Sequence, residues 1–256
     1  MLLVIDAGNS NTSLGVYDKA ELVAHWRLTT ARNRTVDEYG VHARNLFALA
    51  DVDFKAITAI AIASVVPPLN FTLKQMAETY FHISPLFVDH STNLGVRVLY
   101  EPASDVGADR LVDAVAAIQK YGAPCIIVDF GTATTFNAIN VAGEYMGGVI
   151  TPGIMISADA LFERTAKLPR VDIKRPQSVI GSSTVAAMQS GLYHGYVGLV
   201  DGVLRKMLAE LGGTARVIAT GGLASLIATG SELIELVDDT LTLEGLRLVY
   251  ERSQLF

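Results

Sequence analysis

Cysteine is almost absent: Cys125 stands alone in 256 residues. That excludes an internal disulfide and fits a reducing, cytoplasmic setting. Charge is also sparse, at 18% of residues, and the formal net charge of -6 has no basic block behind it. Nucleic acid is therefore not the expected partner. Long apolar runs are missing despite a mean hydropathy of +0.37. The longest, AITAIAIASVV from Ala56 to Val66, stops at Pro67 and Pro68, short of the ~20 residues that a bilayer crossing needs. The start, MLLVIDAGN, carries no basic segment before its apolar part and no cleavage-like site, so no secretion leader is expected. His25, His42, His82, His90 and His194 show no metal-ligand spacing to one another or to Cys125, which argues against a zinc site.

What is present is a core-forming chain, 50% hydrophobic, in which strand-like and helix-like segments alternate. LLVID, SLGVYD and ELVAHWRLTT read as strands joined by short turns, and Thr35–Ala50 has helical spacing. ITAIAIASVV reads as a buried strand, followed by a helix from about Leu69 to Tyr80 and the strand PLFVD. Asp105–Gly122 reads as an amphipathic helix with an acidic start and a glycine stop, its Leu111, Val112, Val115 and Ile118 facing inward. The pattern then restarts with CIIVD, TTFNAIN and EYMGGVI, with helices after Pro152 and Ser183, the strand RVIATGG and a helical C-terminus.

The restart repeats a specific phrase. LLVIDAGNSNTSLGVY (Leu2–Tyr17) and CIIVDFGTATTFNAIN (Cys125–Asn140) each run apolar, then Asp-x-Gly, then small polar residues, then an alternating stretch. An offset of 123 residues sets Asp6 on Asp129, Gly8 on Gly131 and Thr12 on Thr135. The chain is expected to be an internal duplication, with domains at 1–121 and 122–256.

A strand that ends in Asp-x-Gly and returns at once is a β-hairpin whose tip leaves N–H groups and hydroxyls uncovered. Such a tip cradles a phosphate, and a strand-end carboxylate holds a cation beside it. One copy alone reads equally well as a turn with a capping Asp. Two copies, each leading a half, favour a pair of hairpins gripping a nucleoside triphosphate across a cleft. VIATGG (Val217–Gly222) adds a glycine pair after a strand, where a flat base and ribose could approach the backbone. That order, phosphate, phosphate, adenosine, resembles the actin-like (ribonuclease H-like) superfamily. It implies an α/β fold of two duplicated domains, each a mixed five-stranded sheet with flanking helices.

Smaller blocks narrow the resemblance. DAGNSNTSLGVY, SVVPPL, GADRLVDAVAA, DFGTATTFNAI, GGVITPG and TGGLA are similar to the signature blocks of type III pantothenate kinases, in family order. GADR (Gly107–Arg110) and GGxIxPG (Gly147–Gly153) are not shared by sugar kinases or actin. The resemblance implies ATP-dependent phosphorylation of pantothenate to 4′-phosphopantothenate, the first step towards coenzyme A. It implies ATP contacts at Asp6, Ala7, Gly8, Asn9, Ser10, Asn11, Thr12, Ser13, Thr132, Gly221 and Gly222. Asp6 would orient Mg²⁺ through water, and Asp129 would bind a monovalent cation, K⁺ or NH₄⁺. Asp109 resembles the base that takes the hydroxyl proton, and Arg110 a group that binds substrate or neutralises charge. Tyr100, Gly107, Ala108, Asp109, Arg110 and Thr184 form the implied pantothenate contacts.

From the residues alone, Asp109 and Arg110 read instead as a helix cap and a solvated pair, Asp129 as a strand-end cap, Thr184 as a helix N-cap and Tyr100 as a rim aromatic. Cys125 reads as packing. Gly191, Gly195, Gly198 and Gly202 suggest close helix packing, and the family implies a homodimer near that helix. Two other functions remain open: a kinase for a sugar or a carboxylate, and a non-enzymatic transcriptional accessory protein with the same fold.

Overall fold

The computed structural model describes residues 1–255, and the chain divides into two compact units. One is Met1–Ala116 together with the segment from Thr240 onward; the other is Ala117–Asp239.

The first unit opens with β1 (Leu2–Ala7), β2 (Asn11–Asp18) and β3 (Glu21–Thr29), followed by α1 (Val36–Leu49), β4 (Ala59–Ser64), α2 (Pro67–Met76), β5 (Leu86–Phe87) and α3 (Ala108–Tyr121). The sheet order is β3-β2-β1-β4-β5, with β1 and β2 antiparallel and β1 and β4 parallel. β1 and β4 are near-continuous Leu, Ile, Val and Ala runs because both their faces are covered. β3, by contrast, alternates exposed and half-buried residues, as an edge strand should. One face packs Leu3, Ile5 and Ile62 against Phe47 of α1 and Leu69, Leu73 and Met76 of α2. Each such side chain stabilises the fold by ~1.5–3 kcal/mol. Thr35 starts α1 with a reciprocal cap: its hydroxyl accepts from the Glu38 N–H (3.2 Å), and the Glu38 carboxylate accepts from the Thr35 N–H (2.7 Å). Two prolines begin α2, where a missing N–H costs nothing.

The second unit repeats the plan. β6 (Cys125–Phe130), β7 (Ala133–Ile139), β8 (Tyr145–Pro152), α4 (Ile154–Glu163), α5 (Thr184–Glu210), β9 (Arg216–Gly221), α6 (Ala224–Ala228) and β10 (Leu236–Val237) build a sheet of order β10-β9-β6-β7-β8. Strand for strand, β6, β7, β8, β9 and β10 occupy the places of β1, β2, β3, β4 and β5, in the same directions. Val128, Phe136, Val217 and Ala219 pack against Val200 and Leu204 of α5. The duplicated pair of mixed five-stranded sheets is present as expected.

Several readings need correction. The last helix, α7 (Leu241–Ser253), packs on β1, β2 and β4, so the C-terminus belongs to the first unit and the halves are not 1–121 and 122–256. Gly245 makes this possible, because a Cβ there would lie 2.1 Å from the Val112 carbonyl of α3. Leu111, Val112 and Val115 of α3 are buried as expected, but Arg110 is buried too, along with every residue to Ala117, so it is not part of a solvated pair. PLFVD shrinks to two strand residues, and β10 is equally short. Among the described residues, no helix is long and apolar enough to cross a membrane.

Candidate active site

The first hairpin turns between Ala7 and Thr12, which face each other across β1 and β2. Asn9, Ser10 and Asn11 are exposed at the tip, while Gly8 is half-buried and Ala7 and Thr12 are buried. The Gly8 N–H donates to the Asn11 carbonyl at 3.0 Å, closing the turn. Asp6 is half-buried at the strand end with Ser13 opposite it, and β4 continues alongside, its Val65 N–H donating to the Ala7 carbonyl at 3.1 Å. The result is a polar, side-chain-poor loop at the C-terminal ends of two parallel strands.

The start of α3 reaches the same end of the sheet. A Cβ on Gly107 would come within 3.2 Å of Val65 Cγ1 and 2.4 Å of Asp109 Oδ1. Glycine is therefore what lets the Asp109 carboxylate fold back over the chain ahead of the helix. Oδ1 accepts from the Arg110 N–H at 2.8 Å. Burial raises the Asp109 pKa above its ordinary value, while the Arg110 N–H and guanidinium charge pull it back down. A desolvated carboxylate of raised pKa is a stronger proton acceptor than a solvated one. Asp6, the hairpin tip, Gly107 and Asp109 thus gather at one edge of the first unit, and Arg110 is buried beside them at 7% exposure.

In the second unit the hairpin between β6 and β7 is one residue shorter. Asp129 pairs with Thr135, whereas Asp6 pairs with Ser13. The structural counterpart of Thr12 is consequently Thr134, not Thr135, and both Thr12 and Thr134 are 1% exposed. The Thr-Gly-Gly turn lies directly beside this hairpin, since β9 runs parallel to β6 with Thr220 against Asp129. Gly221 has φ of +95°, and a Cβ on it would meet Asp129 Oδ1 at 2.5 Å and the Phe130 amide nitrogen at 2.7 Å. On the other side, a Cβ on Gly131 would lie 3.4 Å from Oδ2. The Asp129 carboxylate therefore sits in a cradle that side chains would fill. Gly153 braces the tip from β8: its N–H donates to the Thr132 carbonyl at 3.1 Å, and a Cβ would lie 2.2 Å from that oxygen.

The chain matches the family profile of type III pantothenate kinases over residues 2–206. A protein named type III pantothenate kinase from Koribacter versatilis is 57% identical, the alignment covering 99% of this chain and 96% of that one. The chain belongs to the type III pantothenate kinase family. Solved structures agree on the fold. One, named as a Baf family transcriptional activator from Campylobacter jejuni, has a TM-score of 0.61 at 18% identity, covering 99% of this chain and 100% of that one. Another, named as an N-acetylmannosamine kinase from Listeria monocytogenes, has a TM-score of 0.55 at 12% identity, covering 99% of each. The duplicated sheet is the actin-like fold of sugar kinases.

The site residues that the resemblance implies do not all converge within each unit. In the first, Tyr100 is half-exposed in the irregular segment before α3, and Ala108 is buried. In the second, Thr132 is half-buried at the tip and Gly222 is exposed. Thr184 stands apart. It is the first, exposed residue of α5, and Ser183 rather than Thr184 is the cap, its hydroxyl accepting from the Ala186 N–H at 3.2 Å. Farther along α5, the Tyr196 hydroxyl bonds Thr134, which puts Thr184 ~18 Å along the helix axis from that contact. Gly191, Gly195 and Gly198 are exposed, and outside the helix's own turns no atom of the described residues lies within 4 Å of a Cβ built on any of them or on Gly202, so the expected packing of this stripe is not made among the described residues. Sequence reasoning missed the segment after β3, where Thr30 and Arg32 bond the first tip. It signals itself only as a polar, basic stretch, TTARNR.

Proposed function

We propose that this chain transfers the γ-phosphoryl group of ATP to the 4′-hydroxyl of pantothenate, the first step towards coenzyme A. The observation that carries the reading is the half-buried Asp109, its carboxylate held by Gly107 and the Arg110 N–H at the strand end where the glycine tip opens. Phosphoryl transfer proceeds through a loose transition state, so positioning and charge neutralisation contribute most. The tip from Ala7 to Ser13 would hold phosphate oxygens through backbone N–H groups and hydroxyls, Thr132 those of the second hairpin, and Gly221 and Gly222 would admit the adenosine. Asp109 would accept the hydroxyl proton as the bond to phosphorus forms. Arg110 would orient the substrate or neutralise developing charge, and Tyr100 and Ala108 would shape the pantothenate pocket.

Among the described residues, no group of three or more His, Cys, Asp or Glu is placed to hold a metal ion. A Mg²⁺ would be held by Asp6 through water, where it would neutralise phosphate charge. Asp129, in the cradle between Gly131 and Gly221, would hold a monovalent cation, K⁺ or NH₄⁺, and the ion would neutralise phosphate charge there. We further propose a cytoplasmic homodimer that uses the exposed glycine face of α5, without nucleic-acid or membrane partners. The test is an ADP-release assay with ATP, Mg²⁺ and K⁺ on pantothenate, glucose, glycerol and acetate. Turnover on pantothenate should far exceed the others; equal turnover of a sugar would overturn the substrate and leave the fold.

A further inference from the structure

We infer that Thr30 is a positioning residue of the nucleotide site, aiming the amides of the first hairpin tip. The inference rests on the proposed role of that tip in holding phosphate.

Thr30 follows β3 directly, and its side chain and backbone both bond the tip. Its hydroxyl donates to the Gly8 carbonyl at 2.7 Å. Its backbone N–H donates to the Ser10 carbonyl at 2.9 Å. The Thr30 and Thr12 hydroxyl oxygens are 2.9 Å apart. A hydroxyl carries one proton, and Thr30 spends its own on Gly8, so Thr12 must be the donor of that pair. Buried Thr12 thus anchors Thr30, and Thr30 anchors the tip.

In a trans peptide the C=O and the following N–H point in opposite directions. Drawing the Gly8 carbonyl towards Thr30 turns the Asn9 N–H away from it, to the open side of the loop. Drawing the Ser10 carbonyl inward does the same for the Asn11 N–H. Those are the groups an anion at this tip would meet, and Asn9, Ser10 and Asn11 are exposed there. Two residues on, Arg32 Nη2 donates to Asn9 Oδ1 at 3.0 Å, so the same segment also fixes the Asn9 side chain and brings a guanidinium to the tip. A loop of Gly, Asn and Ser has many conformations of similar energy, and these bonds select one of them.

The test uses Thr30→Val, which keeps the shape and removes the hydroxyl, and Thr30→Ser, which restores it. Calorimetric titration with MgATP and with ADP, steady-state kinetics for both substrates and melting temperature are measured on each. Thr30→Val is expected to bind MgATP ~10-fold more weakly, as a carbonyl left without its donor no longer holds one orientation. KM for ATP should rise in parallel while KM for pantothenate stays unchanged. Thr30→Ser should return nucleotide affinity to within ~2-fold of wild type. Wild-type nucleotide affinity in Thr30→Val would overturn the inference. So would equal losses for both substrates with a lowered melting temperature that Thr30→Ser does not repair, since that is general destabilisation. A wild-type protein that binds no nucleotide would overturn the phosphate reading of the tip itself, and this inference with it.

Discussion

Replacing Asp109 by Asn exchanges one carboxylate oxygen for an NH₂ group and leaves the side chain's size unchanged. The oxygen that accepts from the Arg110 N–H survives the exchange, as does the space that Gly107 leaves for it. What disappears is the ability to take a proton. Loss of a general base lowers the rate by ~10²–10⁴-fold. The lower end is expected here, because a loose transition state keeps the proton on the nucleophile until late. Stability should move the other way. Burial raises the Asp109 pKa, so the folded chain binds this proton more tightly than the unfolded chain does. The group's contribution to stability is therefore greatest at low pH, and it is lost as pH rises from the ordinary carboxylate range through the raised value. Asn escapes that loss, so at neutral pH the variant should melt no lower than wild type. Wild-type activity should in turn fall on the acidic side at a pH above the usual carboxylate range. Steady-state kinetics, pantothenate titration and a melting curve on both proteins settle the matter. A variant with near-normal kcat would return Asp109 to the role of helix cap. One that lost activity only by unfolding would refute the argument from burial.

Gly107→Ala should lower kcat by roughly 10–100-fold with a small change in pantothenate affinity. Its Cβ, 2.4 Å from Asp109 Oδ1, must push the carboxylate aside by about 1 Å; an unchanged kcat would mean that the carboxylate position is not critical. Activity should rise when K⁺ or NH₄⁺ replaces Na⁺ at constant ionic strength, and Asp129→Ala should abolish that response. An ion-independent wild type would make Asp129 a strand-end cap. Cys125 is 0% exposed, and burial pushes its thiol pKa up to about 12. A thiol reagent at mildly alkaline pH should therefore leave the native protein unlabelled and label it once unfolded, as judged by intact mass.

Much of the site was legible because its chemistry is written in short, contiguous phrases. Asp6 and Asp129 end strands of identical burial pattern, and the glycines after them sit close to the backbone of the returning strand, as Asp-x-Gly leads one to expect. The Gly147–Gly153 block gained a reason only in three dimensions, where Gly153 closes on the Thr132 carbonyl. Thr30 was invisible because a Thr after a strand has no distinctive pattern, and its partners lie 18 and 22 residues away. The one-residue difference between the hairpins was hidden for a related reason. An ungapped match between Thr12 and Thr135 looks better in letters than the register does in hydrogen bonds. The fold erred where local periodicity says nothing of the partner. The apolar stripe of α7 does not say in letters which sheet it covers, and Gly245 against Val112 becomes visible only in the fold. β5 and β10 are two residues each, too short for any alternation to register. Arg110 was read as half of a solvated pair because charge at a helix start is usually exposed, yet it is buried, at 7% exposure.

The most direct measurement is identification of the product. Purified protein is incubated with pantothenate, ATP, Mg²⁺ and K⁺, and the reaction is followed by phosphorus NMR with mass spectrometry of the acceptor. The account predicts ADP and a single new phosphomonoester on the 4′-hydroxyl of pantothenate, formed in equal amounts and lost together in Asp109→Asn. ADP formed while pantothenate stays unmodified, or a product phosphorylated at another group, would contradict it.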